Sequence, residues 1–350
     1  MNGYMSDHKY LDWTVIGAGV AGIAAVGKLI DHGIAPQQIG WIDPHFAVGD
    51  LGMKWSRVPA NTKVKLFNAY LENCKAFEYE KRPRNFTLDQ INPEKTSSLQ
   101  DVVEPLQWIT DHLKSRVHAV SDTAMALNLS NRHWEVKMKR GSLFSKKVIL
   151  AIGCDPKSLS YPGIEAIPIE IALNPEKLVK AIHPKDTIAV FGSSHTAFLV
   201  LANLQNLKVK TVNFYRSPHR YAVYFKDWIL FDATGLKSFT ADWAREHIDG
   251  VLPPNLKRIP LSDHTFEESL ALCNKAIYAT GFEKRKLPIL DQFEGLNYDD
   301  KTGLIAPNLF GLGIAFPQAK FNCLGHLEHL VGLWKFMDYL NSILPIWFAS

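Results

Sequence analysis

The chain is poor in the features that would give a small protein an easy function. It has only four cysteines, at 74, 154, 273 and 323, with no C-x-x-C pair. No zinc knuckle or redox dithiol is therefore spelled locally, and four separated thiols point to a reducing compartment. Neither sign of charge dominates. Lys plus Arg number 39 against 35 Asp plus Glu, a formal +4, and the charges are interspersed. The densest basic clusters, Lys284-Arg285-Lys286 and Lys137-Met138-Lys139-Arg140, read as solvated faces or phosphate contacts. A nucleic-acid partner needs basic residues gathered into a patch, so none is expected. Residues 1–8 are polar, with no apolar core and no cleavage site. They do not form a signal peptide, and a cytoplasmic protein is the expectation.

Long hydrophobic runs are also missing. The most apolar stretch, residues 330–348, is interrupted by Lys335, Asp338, Asn341, Ser342 and Pro345, whereas a membrane span needs about 20 apolar residues. It reads as a buried or dimer-packing helix, the alternative being a helix lying weakly on a membrane surface. His326 and His329 stand three apart on the expected helix, but no third ligand accompanies them, so no metal site is expected.

What is present is an ordinary globular composition. Apolar residues make up 47% and charged residues 21% of 350, enough apolar surface to exclude a disordered chain and enough length for roughly two domains. Residues 99–114 space Leu99, Val102, Val103, Leu106, Ile109 and Leu113 along one helix face. Residues 117–150 read as an antiparallel ribbon, and residues 155–163, rich in turn formers, as an interdomain crossing. Residues 217–260 are irregular and aromatic. Tyr221, Tyr224, Phe225, Trp228 and Phe231 in that stretch suggest the wall of an apolar pocket.

Two strand–glycine-turn–helix patterns carry the chemistry. In the first, Thr14-Val15-Ile16 leads into Gly17-Ala18-Gly19-Val20-Ala21-Gly22. The first glycine permits a tight turn, the second lets a pyrophosphate approach the backbone, and the third lets helix and strand pack closely. The helix start then offers free N–H groups and a partial positive charge. Asp43, closing Gly40-Trp41-Ile42, stands where the fingerprint wants a carboxylate for ribose hydroxyls. The second pattern, Ile188 to Phe191 followed by Gly192-Ser193-Ser194-His195-Thr196-Ala197, puts Ser194 at the middle position. Its hydroxyl is available to a phosphate. The following strand ends in Arg216-Ser217, at the place taken by Asp43 in the first unit. An arginine there pairs a 2′-phosphate. The first site is thus expected to take an adenosine with free ribose hydroxyls and the second NADPH, in an α/β protein with parallel sheets.

These residues resemble the flavoproteins with two dinucleotide-binding domains, the pyridine nucleotide-disulfide oxidoreductase-like fold. The flavin-containing monooxygenase and N-hydroxylase branch is the most similar. Four stretches carry the resemblance: the first glycine turn with Asp43; Leu51-Gly52-Met53-Lys54-Trp55 with Asn61-Thr62-Lys63; the crossing motifs Ala151-Ile152-Gly153 and Tyr278-Ala279-Thr280-Gly281-Phe282; and residues 309–317 with Gly313. The resemblance implies two Rossmann-like three-layer domains. An FAD domain would cover residues 1–165 and 282–350, with an NADPH domain inserted at 166–281. FAD would be held by Gly17 to Gly22, Asp43, Lys54, Trp55, Asn61, Thr62, Gly153 and Gly313, with Asn61 facing the flavin as the catalytic residue. NADPH would be held by Gly192, Ser193, Ser194, His195, Thr196, Arg216, Ser217, Thr280 and Gly281.

The activity implied is oxygen insertion into a small nucleophilic nitrogen or sulfur compound, or a ketone, through a C4a-peroxyflavin. The partners are that substrate and O2, and a homodimer is compatible with the apolar last helix. The family's F-x-G-x-x-x-H-x-x-x-[YF] signature is not recognisable, and Asn274 replaces an aspartate typical of N-hydroxylases. Two alternatives stay open: an NADPH-dependent flavin reductase without oxygen transfer, and a non-catalytic nucleotide-binding redox sensor.

Overall fold

The computed structural model describes residues 10–226 and 228–350. They group into two units, one comprising the chain up to Ser56, Thr62–Cys154 and Lys284–Ser350, the other Arg57–Asn61 and Asp155–Glu283.

At the centre of the first unit's eight-stranded sheet lies Tyr10–Ile16, parallel to Ile39–Ile42 on one side and to Gly141–Leu150 on the other. Trp13, Val15, Ile16, Ile39, Trp41 and Ile42 are all buried, as strands covered on both faces must be. Helix Val20–Asp31 packs with helices Leu99–Lys114 and Leu333–Ala349. Helix Leu99–Lys114 opens on a capping box: the Ser98 hydroxyl accepts the Asp101 N–H, and the Ser98 N–H donates to the Asp101 carboxylate. Of the stripe read from the sequence it buries Val102, Leu106, Ile109 and Leu113, while Leu99 and Val103 are half-buried. The ribbon expected over 117–150 is narrower than that. Ala124–Ser130 and His133–Met138 form it against Gly141–Leu150, while His118–Val120 is instead a parallel edge strand beside Ile39–Ile42. Leu127, Trp134 and Val136 of the ribbon pack with Val148, Leu150 and Phe316, giving the unit a third layer.

Helix Leu333–Ala349 buries Phe336, Leu340, Leu344 and Trp347. Its C-terminal carbonyls, where the helix dipole is negative, accept from Lys147 Nζ: Trp347 O at 2.5 Å, Phe348 O at 3.1 Å and Ser350 O at 2.8 Å. No helix among the described residues is long and apolar enough to cross a membrane. The histidines expected on a helix are not on one: His329 lies on strand Leu327–Leu330 of a hairpin with Gln318–Phe321, and His326 in its loop. The reading failed because the hairpin strands are only four residues long, and their alternation is drowned by flanking apolar residues.

Five parallel strands make the second sheet, in the order Glu165–Ala166, Lys275–Tyr278, Thr187–Phe191, Lys210–Tyr215, Leu256–Pro260. Helix His195–Asn206 packs on it, and helix Ser238–His247 packs against that helix. Ala189, Phe191, Val212, Phe214 and Ile259 form the core with Leu270 and Cys273. The stretch expected to be irregular, 217–260, is therefore only partly so. It holds a small hairpin (Val223–Tyr224 with Ile229–Leu230), helix Ser238–His247 and the sheet's edge strand. Pro253, Pro254 and Pro260 hid that strand, which tolerates proline because it lies at the edge.

Candidate functional site

Each sheet delivers a glycine turn at the carboxyl end of its central strand, where parallel sheets bind ligands. Gly17 has φ of 110°, the left-handed region that disfavours a side chain. A Cβ there would lie 2.3 Å from the Ala151 carbonyl oxygen. A Cβ on Gly22 would lie 1.9 Å from Gly17 O, so only glycine lets this helix meet the strand. Gly19 is different. Its backbone is extended, and the nearest atom to a Cβ there, Gly49 Cα, is 4.0 Å away. Its missing side chain leaves open room before a helix start that no side chain caps. Room, N–H donors and the dipole together suit a phosphate.

Asp43 holds this turn in place. Its Oδ2 accepts the Ala18 N–H at 2.7 Å, and its Oδ1 accepts from His45 N at 2.8 Å and Phe46 N at 2.7 Å. An ionised carboxylate offers about four lone-pair sites, which leaves capacity for a hydroxyl. The donor set therefore fits a dinucleotide with a free ribose, although Asp43 is also a structural brace that the sequence reading did not foresee.

The second turn repeats the plan. Gly192 has φ of 132°, and a Cβ would lie 2.4 Å from the Ala279 carbonyl oxygen. Ser194 opens helix His195–Asn206 with extended backbone, exposed, its hydroxyl not used as a cap. The departure from glycine thus costs no strain. Ser193 Oγ donates to Ser217 O at 2.7 Å, tying the turn to the end of the next strand.

Ser194, His195, Thr196 and Gly281 come together around a cavity of about 220 Å³, with Tyr278, Ala279 and Phe282 on its wall. Among the described residues of the 217–260 stretch, Ala233 alone reaches it. The aromatics of that stretch are not on the wall of this cavity: Tyr224 and Phe225 are exposed, and Trp228 stacks on Phe225 at 4.7 Å. His195 Nδ1 lies 2.8 Å from Thr240 Oγ1, and burial, helped by Lys237, pushes its pKa down to about 4. It faces the cavity as a neutral ring and offers no positive charge to a phosphate. The hydroxyl of Tyr278 is buried without a partner beside it.

The strand register corrects one equivalence. Ile42 pairs with Ile16 and Phe214 with Phe191, so the residue that matches Asp43 is Tyr215, and Arg216 lies one step further. Arg216 and Ser217 are exposed at the strand end. Arg258 lies over the Tyr215 ring at 4.5 Å, and no carboxylate occupies this place.

Of the remaining predicted residues, Gly313 comes against the first helix, a Cβ there meeting Ala21 Cβ at 2.7 Å, and Gly153 follows the end of strand Gly141–Leu150. Lys54 Nζ pairs with Asp50 Oδ2 at 3.1 Å, and the Trp55 N–H donates to Asp50 O. Thr280 Oγ1 donates to Lys157 O at 3.4 Å. Asn61 and Thr62 are half-buried on strand Pro59–Lys63, where the grouping passes from the second unit to the first. Sequence reasoning missed Arg285. It belongs to the run read as a solvated face, yet it donates to Asp50 Oδ2 at 2.5 Å and to the Ile152 carbonyl at 3.3 Å. Asp50 follows the Gly49 that faces Gly19.

Two parallel sheets, each ending in a strand–glycine-turn–helix with an uncapped helix start, define a protein with two dinucleotide-binding domains. No protein-family model matches the chain. It is 31% identical to monooxygenase AgnR1 of Paecilomyces divaricatus, over 96% of this chain and 97% of that protein. Two solved structures, each aligned over 97% of this chain and 99% of the other, share the fold. They are a flavin-containing monooxygenase from Stenotrophomonas maltophilia (15% identity, TM-score 0.64) and L-lysine 6-monooxygenase from Pseudomonas syringae (15%, 0.62). The chain belongs to the family of monooxygenase AgnR1, and its fold is the one seen in the flavin-containing monooxygenase and L-lysine 6-monooxygenase structures.

Proposed function

We propose that the protein is an FAD-dependent, NADPH-using monooxygenase acting on a small nucleophilic nitrogen or sulfur compound or a ketone. The carrying observation is the contrast at equivalent strand ends. Asp43 in the first unit suits ribose hydroxyls and would repel a 2′-phosphate, whereas Tyr215-Arg216 in the second presents an exposed guanidinium and no carboxylate.

The first turn, Gly17 to Gly22, holds the FAD pyrophosphate at its helix start, and Asp43 accepts a ribose hydroxyl while keeping the Ala18 N–H. At the second turn, Ser194 and the first N–H groups of helix His195–Asn206 take the NADPH pyrophosphate, with Arg216 and Ser217 on the 2′-phosphate. His195 and Thr196 line the neighbouring cavity. Bound FAD supplies two-electron transfer from NADPH and activation of O2, one oxygen atom going to substrate and the other to water. Asn61 is the residue assigned to hydrogen-bond beside the flavin ring.

Anaerobic mixing with NADPH and with NADH tests this reading. Wild type is expected to be yellow and to bleach much faster with NADPH. Arg216→Gln is expected to raise KM for NADPH at least tenfold and leave NADH unchanged, since a charge-assisted pair is lost. Equal rates with both nucleotides in wild type would sink the role of Arg216. Failure to take up FAD would sink the whole assignment. With a substrate panel in air, product heavier by one oxygen atom separates a monooxygenase from a reductase.

A further inference from the structure

In each unit, a residue near the end of the strand that follows the glycine turn reaches across and donates to the carbonyl of the first fingerprint glycine. Trp41 Nε1 donates to Gly17 O at 2.9 Å. Asn213 Nδ2 donates to Gly192 O at 2.9 Å and to Val190 O at 3.0 Å. The positions are equivalent by register: Trp41 pairs with Val15, two before Gly17, and Asn213 with Val190, two before Gly192. The glycine N–H groups are spent in the same way, Gly17 N on Ile42 O at 2.8 Å and Gly192 N on Phe214 O at 2.9 Å. We infer that Trp41 and Asn213 are matched positioning residues, each setting the peptide that leads into its own phosphate-binding turn.

The physical need is the same in both places. The glycine follows the end of its strand, so its carbonyl has left the ladder while still half-buried, and a carbonyl shielded from water without a donor is costly. The peptide is planar, so holding Gly17 O also aims the Ala18 N–H, which Asp43 Oδ2 takes at 2.7 Å. The first turn is thus clamped at both ends of one peptide unit. In the second, the hold is the Asn213 amide, and its orientation is unambiguous. Arg258 Nε, a donor only, gives to Asn213 Oδ1 at 2.9 Å, so the amide nitrogen must face the two carbonyls. Trp41 and Asn213 are both fully buried. An asparagine inside a central parallel strand otherwise lined by Val212 and Phe214 has no packing reason to be there. Arg258, lying over Tyr215, is its support.

This inference rests on the assignment of FAD to the first turn and NADPH to the second, and the test separates the two claims. Trp41→Phe keeps the ring and removes the donor. It is expected to weaken FAD binding about tenfold, with KM for NADPH unchanged at saturating FAD. Asn213→Val and Arg258→Met are expected to raise KM for NADPH about tenfold. Their rate of flavin reduction at saturating NADPH and their FAD affinity should be unchanged, and Arg258→Lys should recover part of the loss. Effects that fall on both cofactors alike, on the wrong one, or on melting temperature alone overturn the inference. Wild type that binds neither nucleotide overturns the cofactor assignment, and this inference with it. Trp41→Phe and Arg258→Met carry the test if Asn213→Val does not fold.

Discussion

At the first turn the neighbouring strand ends in Asp43, whose carboxylate gathers three backbone N–H groups. At the second the same register position is Tyr215 with a guanidinium over its ring, and the turn is tied instead by Ser193 to Ser217. The backbone plan is common to both: a glycine at positive φ, its N–H on the next strand, its Cβ position closed by an alanine carbonyl. What differs is the side chains that finish the plan. Under the proposed function, this shared skeleton with unlike finishing groups would let one fold take two nucleotides, with discrimination resting on the charge at the strand end.

The comparison is broken most severely at its common element. Gly17→Ala and Gly192→Ala each place a Cβ within 2.4 Å of a carbonyl oxygen at a φ that side chains rarely adopt. Each is expected to cost about 3 kcal/mol or more locally. Gly17→Ala should emerge colourless and with a lowered melting temperature. Gly192→Ala should stay yellow and no longer bleach with NADPH. Flavin content and stopped-flow reduction measure the pair, and identical phenotypes would mean the two turns do not serve separate nucleotides.

A smaller difference lies in titration. The second turn carries His195, whose pKa burial lowers from 6.5 to about 4. Between those values the unfolded chain binds a proton that the folded chain refuses, so stability is lost as pH falls from about 6.5 toward 4. Thermal melts of wild type and His195→Asn across that window should show a shallower slope in the variant. An unchanged slope would place the ring in contact with solvent.

The smallest effect sharpens the comparison. Ser194→Gly restores the fingerprint residue of the first turn, yet Ser194 already has extended backbone and is exposed. KM for NADPH is expected to rise about threefold, the loss of one hydroxyl contact to the pyrophosphate. A fall in KM would show that the side chain obstructs the pyrophosphate instead.

Much of the architecture was legible in local pattern. The strands before Gly17 and Gly192 end in apolar runs, Val15-Ile16 and Ile188 to Phe191, and the stripe from Leu99 to Leu113 repeats at helical spacing. The hairpin that carries His326 and His329 was not legible, nor was the edge strand Leu256–Pro260. Both are short, and one is framed by prolines. Arg285 was read as a solvated cation because nothing local shows that Asp50 lies beside it.

The amino-acid sequence by itself determined that there are two strand–glycine-turn–helix units and that an aspartate follows the neighbouring strand in one and an arginine in the other. Such turns are local: a few φ angles, a missing Cβ and a helix start settle them within ten residues. Only the tertiary structure decided that Tyr215, not Arg216, matches Asp43, and that Trp41 and Asn213 hold the two glycine carbonyls. Register between parallel strands is set by pairing across long crossovers, and a side chain finds a carbonyl one strand away only after that pairing exists.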